Sequence, residues 1–147
     1  MADRTIVLKG KLGRRYEEGR LSVAAKPGYL MQMSLTSDAG KYRPHATSGG
    51  KSSNLFMVED DFQGNTIDDA YAIGDVARMV YAEPGDIINA VLKAEQNVAA
   101  NALLKSNGDG TLVVASSGET TDNVVGRVIT ALDLTGDPDG FCPIVIV

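Results

Sequence analysis

His45 is the only histidine in the chain and Cys142 the only cysteine, so any chemistry that depends on imidazole or thiolate has one candidate each. A single histidine cannot assemble a His-based metal cluster. Cys142 lies in the apolar run "FCPIVIV", where a thiol usually acts as a small core residue and not as a nucleophile. "SGGKSS", Ser48 to Ser53, resembles a nucleotide-binding loop around Gly50-Lys51-Ser52. The full pattern needs glycine five positions before Gly50, where His45 stands, and no buried strand leads into it. "NGDG", Asn107 to Gly110, raises three possibilities: a calcium loop, a phosphate cradle or a hairpin turn. Calcium takes six to eight oxygens, yet Asp109 is the only carboxylate before Glu119. A phosphate loop opens a helix, whereas "TLVVAS" reads as a strand. The plain turn is the expectation, because glycine and asparagine supply the positive φ that hairpins need. Asp60-Asp61 and Asp68-Asp69 are sequence neighbours, which point to opposite faces of a strand. They read as solvated loop charges. Nothing brings a nucleophile, a base and an orienting group together, so the chain is expected not to be an enzyme and to need no cofactor or metal.

The elements that would hold these groups are short. With 147 residues the chain suits one domain, and at this length it can bury a core without disulfides. "YLMQMSL" places Tyr29, Met31, Met33 and Leu35 in alternation, predicting a strand with one buried face. "LFMVED" and "YAIGDVARMVYAE" follow as strands, the second with a bulge or kink at Gly74-Asp75. "DIINAVLKAEQNVAANALLK" fits a helix by composition and a strand by the alternation of Ile88, Ala90 and Leu92. Beyond it, "NALLKS", "TLVVAS", "NVVGRVITAL" and "CPIVIV" are short aliphatic runs separated by turn-forming residues. Such spacing predicts an all-β barrel or sandwich. A chain end as apolar as "IVIV" is expected to pair inside a sheet. No apolar stretch approaches the roughly 18–20 residues of a membrane helix, so no membrane is expected.

Charge divides the chain. Residues 1–28 hold seven bases and three acids, a net +4, against −5 for the whole, leaving −9 for the rest. Glycines 10, 13 and 19 interrupt any helix there, and Pro27-Gly28 forms a turn. The expected organisation is therefore an extended N-terminal arm, 1–28, and a β-rich body, 29–147. The arm docks on acidic protein surface through its bases and interleaved apolar residues, or else it is a solvated tail. The acidic body argues against a nucleic-acid partner.

The stretch "AYAIGDVARMVYAEPGDIINAVLKAEQNVAANALLKSNGDGTLVVA", with "VVGRVITALDLTG" and the terminal "PIVIV", resembles the capsid decoration, or cement, proteins of tailed bacteriophages. The likeness covers roughly residues 69–147 and rests on turns and strands. The family often carries glycine where Asn101 stands. The resemblance implies a small β-barrel or tulip-like domain, with strands and not a helix over 86–105. It also implies a homotrimer on the outer surface of an icosahedral head, made in the host bacterial cytoplasm and bracing the expanded shell. The implied partners are the major capsid protein and the chain itself. On this reading Arg4, Ile6, Leu8, Lys9, Lys11, Arg14, Arg15, Tyr16 and Arg20 are the arm contacts, and removing residues 1–26 abolishes binding but leaves a folded body. Three other readings remain. An enzyme centred on Cys142 or His45 would lose an activity when either residue is replaced. A barrel-sandwich carrier module would present Lys51, Lys93 or Lys105 for modification. Another minor head protein, such as a head fibre base, would share the same shell environment.

Overall fold

The structure is a computed structural model that describes residues 5–10, 15–36, 38–116 and 123–147. Its described residues form thirteen strands and no α-helix. In chain order they are β1 Val7–Lys9, β2 Tyr16–Arg20, β3 Leu30–Met33, β4 Tyr42–Pro44, β5 Leu55–Met57, β6 Val76–Tyr81, β7 Ile87–Leu92, β8 Asn97–Val98, β9 Leu103–Ser106, β10 Leu112–Val114, β11 Val124–Val128, β12 Leu132–Asp133 and β13 Gly140–Ile146. The fold is all-β, as the turn spacing predicts.

Strands β7, β10, β9, β11 and β13 form a ring, because β13 pairs both with β11 and with β7. Closure removes the exposed edges that an open sheet would leave. The longest ladder runs from Gly140↔Leu92 to Val145↔Ile87, so the apolar C-terminus is sealed between two neighbours. Ile88, Ala90 and Leu92 alternate along β7, and Cys142, Ile144 and Ile146 along β13; all six are buried in one apolar cluster with Leu104, Leu112 and Val128. Each large aliphatic side chain so buried contributes about 1.5–3 kcal/mol relative to exposure. The other edge of β7 is shared. Its amides at Asn89, Val91 and Lys93 donate in turn to the carbonyls of Ile6 (2.7 Å), Gly28 (3.3 Å) and Leu112 (3.0 Å). One strand thus gathers the N-terminal strand, the turn before β3 and the β10 hairpin.

The second sheet has the order β2-β6-β5-β3-β4. A parallel bridge between Leu21 and Tyr42 joins its two outer strands, so it too curls shut. Leu21, Ala25, Met31, Tyr42, Leu55, Met57, Tyr71, Ala77 and Met79 fill its interior. Gly19 makes the closure possible: a Cβ there would lie 2.4 Å from the Tyr42 ring. The opposite face, with Leu30, Phe56 and Val80, joins the core of the first barrel.

Three expectations change on this frame. The alternation from Tyr29 to Leu35 does not mark one buried face. Leu30 and Met31 are both buried, because the sheet is covered on both sides near the barrel, whereas Leu35 at the far end is 82% exposed. Ala72 to Asp75 is a turn before β6 and not a bulge: Asp75 accepts from Ala72 N through Oδ2, and Gly74 has φ +88°. The described residues between 5 and 28 are woven into the body. β1 pairs with β7, β2 with β6, and Ala25 with Tyr71. Ile6, Leu21 and Ala25 are buried, so a boundary at residue 28 cuts both cores, and a body lacking residues 1–26 loses part of each.

Residues 86–105 form β7, β8 and the start of β9, with no helix. Glu95 and Asn101 have φ +65° and +68°, left-handed values that stop a helix and turn the chain. Asparagine tolerates this conformation better than most side chains, which is why it can stand where glycine would.

Candidate interaction surface

The residues that suggested chemistry hold the fold together. His45 is buried, with Nδ1 2.7 Å from Ser106 Oγ and Nε2 2.9 Å from Lys51 O. The carbonyl accepts only, so Nε2 carries the proton and Nδ1 accepts from the Ser106 hydroxyl. Ser106 Oγ in turn accepts from Gly108 N at 3.1 Å. Neither His45 nor Ser106 is open to a substrate, at 4% and 0% exposure. The Gly-Lys-Ser loop contributes a carbonyl to this lock.

"NGDG" is the β9–β10 turn. Gly108 and Gly110 take φ +94° and +92°, and Asp109 accepts from Thr111 N and Thr111 Oγ. Burial alone would raise the Asp109 carboxyl. Hydrogen bonds from Thr111 and Asn107, with Lys93 nearby, hold it below its ordinary value. Burial pushes the Cys142 thiol up to about 11, a value at which almost no thiolate exists near neutrality. Among the described residues no group of three or more His, Cys, Asp or Glu side chains is placed to hold a metal ion. Asp61 pairs with Arg78 at 2.8 Å, and Asp69 caps Thr66.

Of the nine residues expected to contact a partner, Arg4, Lys11 and Arg14 lie outside the described residues. Ile6 is fully buried against β7, so it serves the core; Leu8 is half-buried and Lys9 exposed. Arg15, Tyr16 and Arg20 cluster at and along β2. Arg15 donates to Glu17 at 2.6 and 3.0 Å and stacks 4.8 Å from the centre of the Tyr81 ring. Arg20 donates to Gly74 O at 2.9 Å. Tyr16 is half-exposed, with the Arg78 guanidinium 5.6 Å from its ring centre.

Between β1 and the β2–β6 pair runs a groove of about 250 Å³, lined by Thr5, Val7, Tyr16, Val58, Glu59, Asp61 and Arg78. Arg78 also lies 4.5 Å from the centre of the Phe62 ring, which is 82% exposed. Phe62 and Arg78 carried no pattern in the sequence. The register that places Arg78 opposite Glu18 brings them to Tyr16, and only the sheet supplies it.

No protein-family model matches the chain, and no curated protein sequence matches it. Among solved structures, the chain is similar to the N base of the head fibre protein gp8.5 of bacteriophage phi29, with a TM-score of 0.60. The superposition covers 90% of this chain and 93% of that one, at 13% sequence identity. The two share a fold.

Proposed function

We propose that this chain is a non-enzymatic structural protein of a bacteriophage head. The observation that carries the reading is the fold likeness to a head fibre base over nine-tenths of the chain, in a protein whose single histidine and single thiol are both buried in its core. The resemblance of residues 69–147 to capsid decoration proteins points to the same setting. In this reading the protein sits as a homotrimer on the outer surface of the assembled head and clamps neighbouring major capsid protein subunits. It is made in the host cytoplasm and added to the expanded shell. A clamp needs no reactive site. It needs a rigid body and several simultaneous contacts, because each further contact made by a tethered trimer is intramolecular and raises avidity by roughly 10²–10⁴. Closed barrels joined by buried hydrogen bonds meet the first requirement.

A second reading, the base of a head fibre, is favoured by the same fold likeness. Both place the chain on the head and differ in how many sites it fills. Adding purified protein to heads that lack it, followed by reconstruction, separates them. A decoration protein appears at every equivalent lattice position, a fibre base at a few. Heads that bind none refute both.

A further inference from the structure

The β9–β10 turn carries chemistry that the shell reading does not use. Asn107-Gly108 is the one Asn-Gly pair in the chain. Glycine has no side chain to shield its nitrogen or restrict its backbone, so such a pair in a free chain closes readily to a cyclic imide. In the fold, the groups needed for closure are engaged. The Gly108 amide donates to Ser106 Oγ at 3.1 Å, and that hydroxyl is itself tied to His45 Nδ1 at 2.7 Å. The backbone amide of Asn107 donates to Thr111 O at 2.9 Å, and its side chain is hydrogen-bonded to the Asp109 carboxylate. Gly108 is also seated against the loop after β4: a Cβ there would lie 3.0 Å from Ser48 N. Asn107 and Gly108 are only half-buried, so water reaches the turn.

We propose that Asn107 is a modification site, converted to isoaspartate through an imide with Gly108, and that opening of the His45–Ser106 lock sets the rate. In the first step base removes the Gly108 amide proton. The nitrogen attacks Asn107 Cγ, the N–Cγ bond forms, the Cγ–Nδ2 bond breaks, and ammonia leaves with a proton from water. Water then opens the imide at either carbonyl, giving aspartate or isoaspartate. No oxidant or reductant is needed. While Ser106 Oγ holds the Gly108 N–H, the nitrogen is neither exposed to base nor free to swing toward Cγ. Local opening of the turn is therefore required first, and local openings are more frequent than global unfolding. The product does not fit the seat it left. Isoaspartate carries one extra backbone carbon into a turn already packed against Ser48, and its carboxylate adds charge beside Asp109. Each conversion leaves one copy with a loosened junction between its two barrels. The site is independent of which assembly the protein joins.

The test compares the whole protein with the free peptide acetyl-Lys-Ser-Asn-Gly-Asp-Gly-Thr-amide in mildly alkaline buffer. Isoaspartate at the Asn-Gly pair is followed by peptide mapping. The folded protein is expected to convert far more slowly than the peptide. Ser106→Ala is expected to convert roughly five- to thirtyfold faster than the parent, the weight of one buried hydrogen-bonding group. Ile6→Ala weakens the core at the other end of β7 and is expected to convert at close to the parent rate, which separates local opening from general loss of stability. Hydrogen exchange removes the same Gly108 proton. Its protection in the parent should therefore match the slowdown relative to the peptide within about tenfold, and this comparison decides the matter even where Ser106→Ala does not fold. A parent that converts as fast as the peptide overturns the proposal. So does a folded Ser106→Ala no faster than the parent, an Ile6→Ala that is accelerated as much, or a Gly108 amide that exchanges freely.

Discussion

His45 and Ser106 stand 61 positions apart in sequence and meet at 2.7 Å, joining the end of β4 to the end of β9. The pair is one link of a chain that runs from Gly108 N through Ser106 Oγ and the imidazole to Lys51 O. Beside it Leu30 N donates to Gly110 O, and Gly49 N to Ser106 O. The two curled sheets are therefore fastened by buried polar bonds as well as by apolar contact. Ser106→Ala leaves a buried acceptor without its donor, at an expected cost of about 1–3 kcal/mol. His45→Ala should cost at least as much. Chemical denaturation of the two single variants and the double variant measures the link. The double variant should be more stable than the sum of the two losses predicts. Strict additivity would show that the two groups are not coupled.

Tyr71 gives the fold an alkaline limit. Its hydroxyl donates to Val58 O at 2.8 Å. Burial, and then the charge of Asp60, push its pKa up to about 12. The folded value exceeds the unfolded one of about 10, so the contribution is complete below pH 10 and is lost as pH rises toward 12. The loss is on the order of 2 kcal/mol. Tyr71→Phe should be about 1 kcal/mol less stable at pH 8 for want of the hydrogen bond. The gap should close and then reverse as pH approaches 12, because only the tyrosine protein loses stability there. Urea midpoints across that range test it, and parallel curves for the two proteins contradict it.

Gly19 admits the Tyr42 ring. A methyl group there would meet two ring carbons at 2.4 and 2.5 Å. Tyr42 is buried and pairs with both Met33 and Leu21, so it has little room to retreat. Gly19→Ala should cost about 1–3 kcal/mol through overpacking, read as a lowered melting temperature. Restored stability in Gly19→Ala/Tyr42→Leu would place the strain at this contact, and an unchanged melting temperature in Gly19→Ala would remove it.

Ile6 is the N-terminal residue that the core needs most. It is fully buried, its carbonyl accepts from Asn89 N, and its amide donates to Glu59 at 3.1 Å. Ile6→Ala should lose about 2–5 kcal/mol, while Lys9→Ala, at an exposed position, should fall within about 0.5 kcal/mol of the parent. Equal effects would mean that β1 does not dock as described.

The turns were the most legible part of the chain. Asn107 to Gly110 reads as a hairpin because glycine alone takes positive φ without penalty, and the aliphatic C-terminus reads as an interior strand. The integration of β1, β2 and residues 21–28 was hidden because glycine has two uses. Gly19 looks like a helix breaker in sequence, and in the fold it is a space left for Tyr42. The charge split marked residues 1–28 as a docking arm, yet Arg15 and Arg20 are already engaged within the chain. The Tyr16–Arg78–Phe62 stack was illegible because it depends on the register of β2 against β6 and on a loop 16 residues upstream of Arg78. No local pattern encodes either.

On the proposed function, this protein works by attachment to a phage head. Reconstruction of heads incubated with the purified full chain tests it most directly. The account predicts ordered density for the double-barrel body at fixed positions on the outer shell, each copy touching more than one capsid subunit. Heads that remain bare at saturating protein would contradict it.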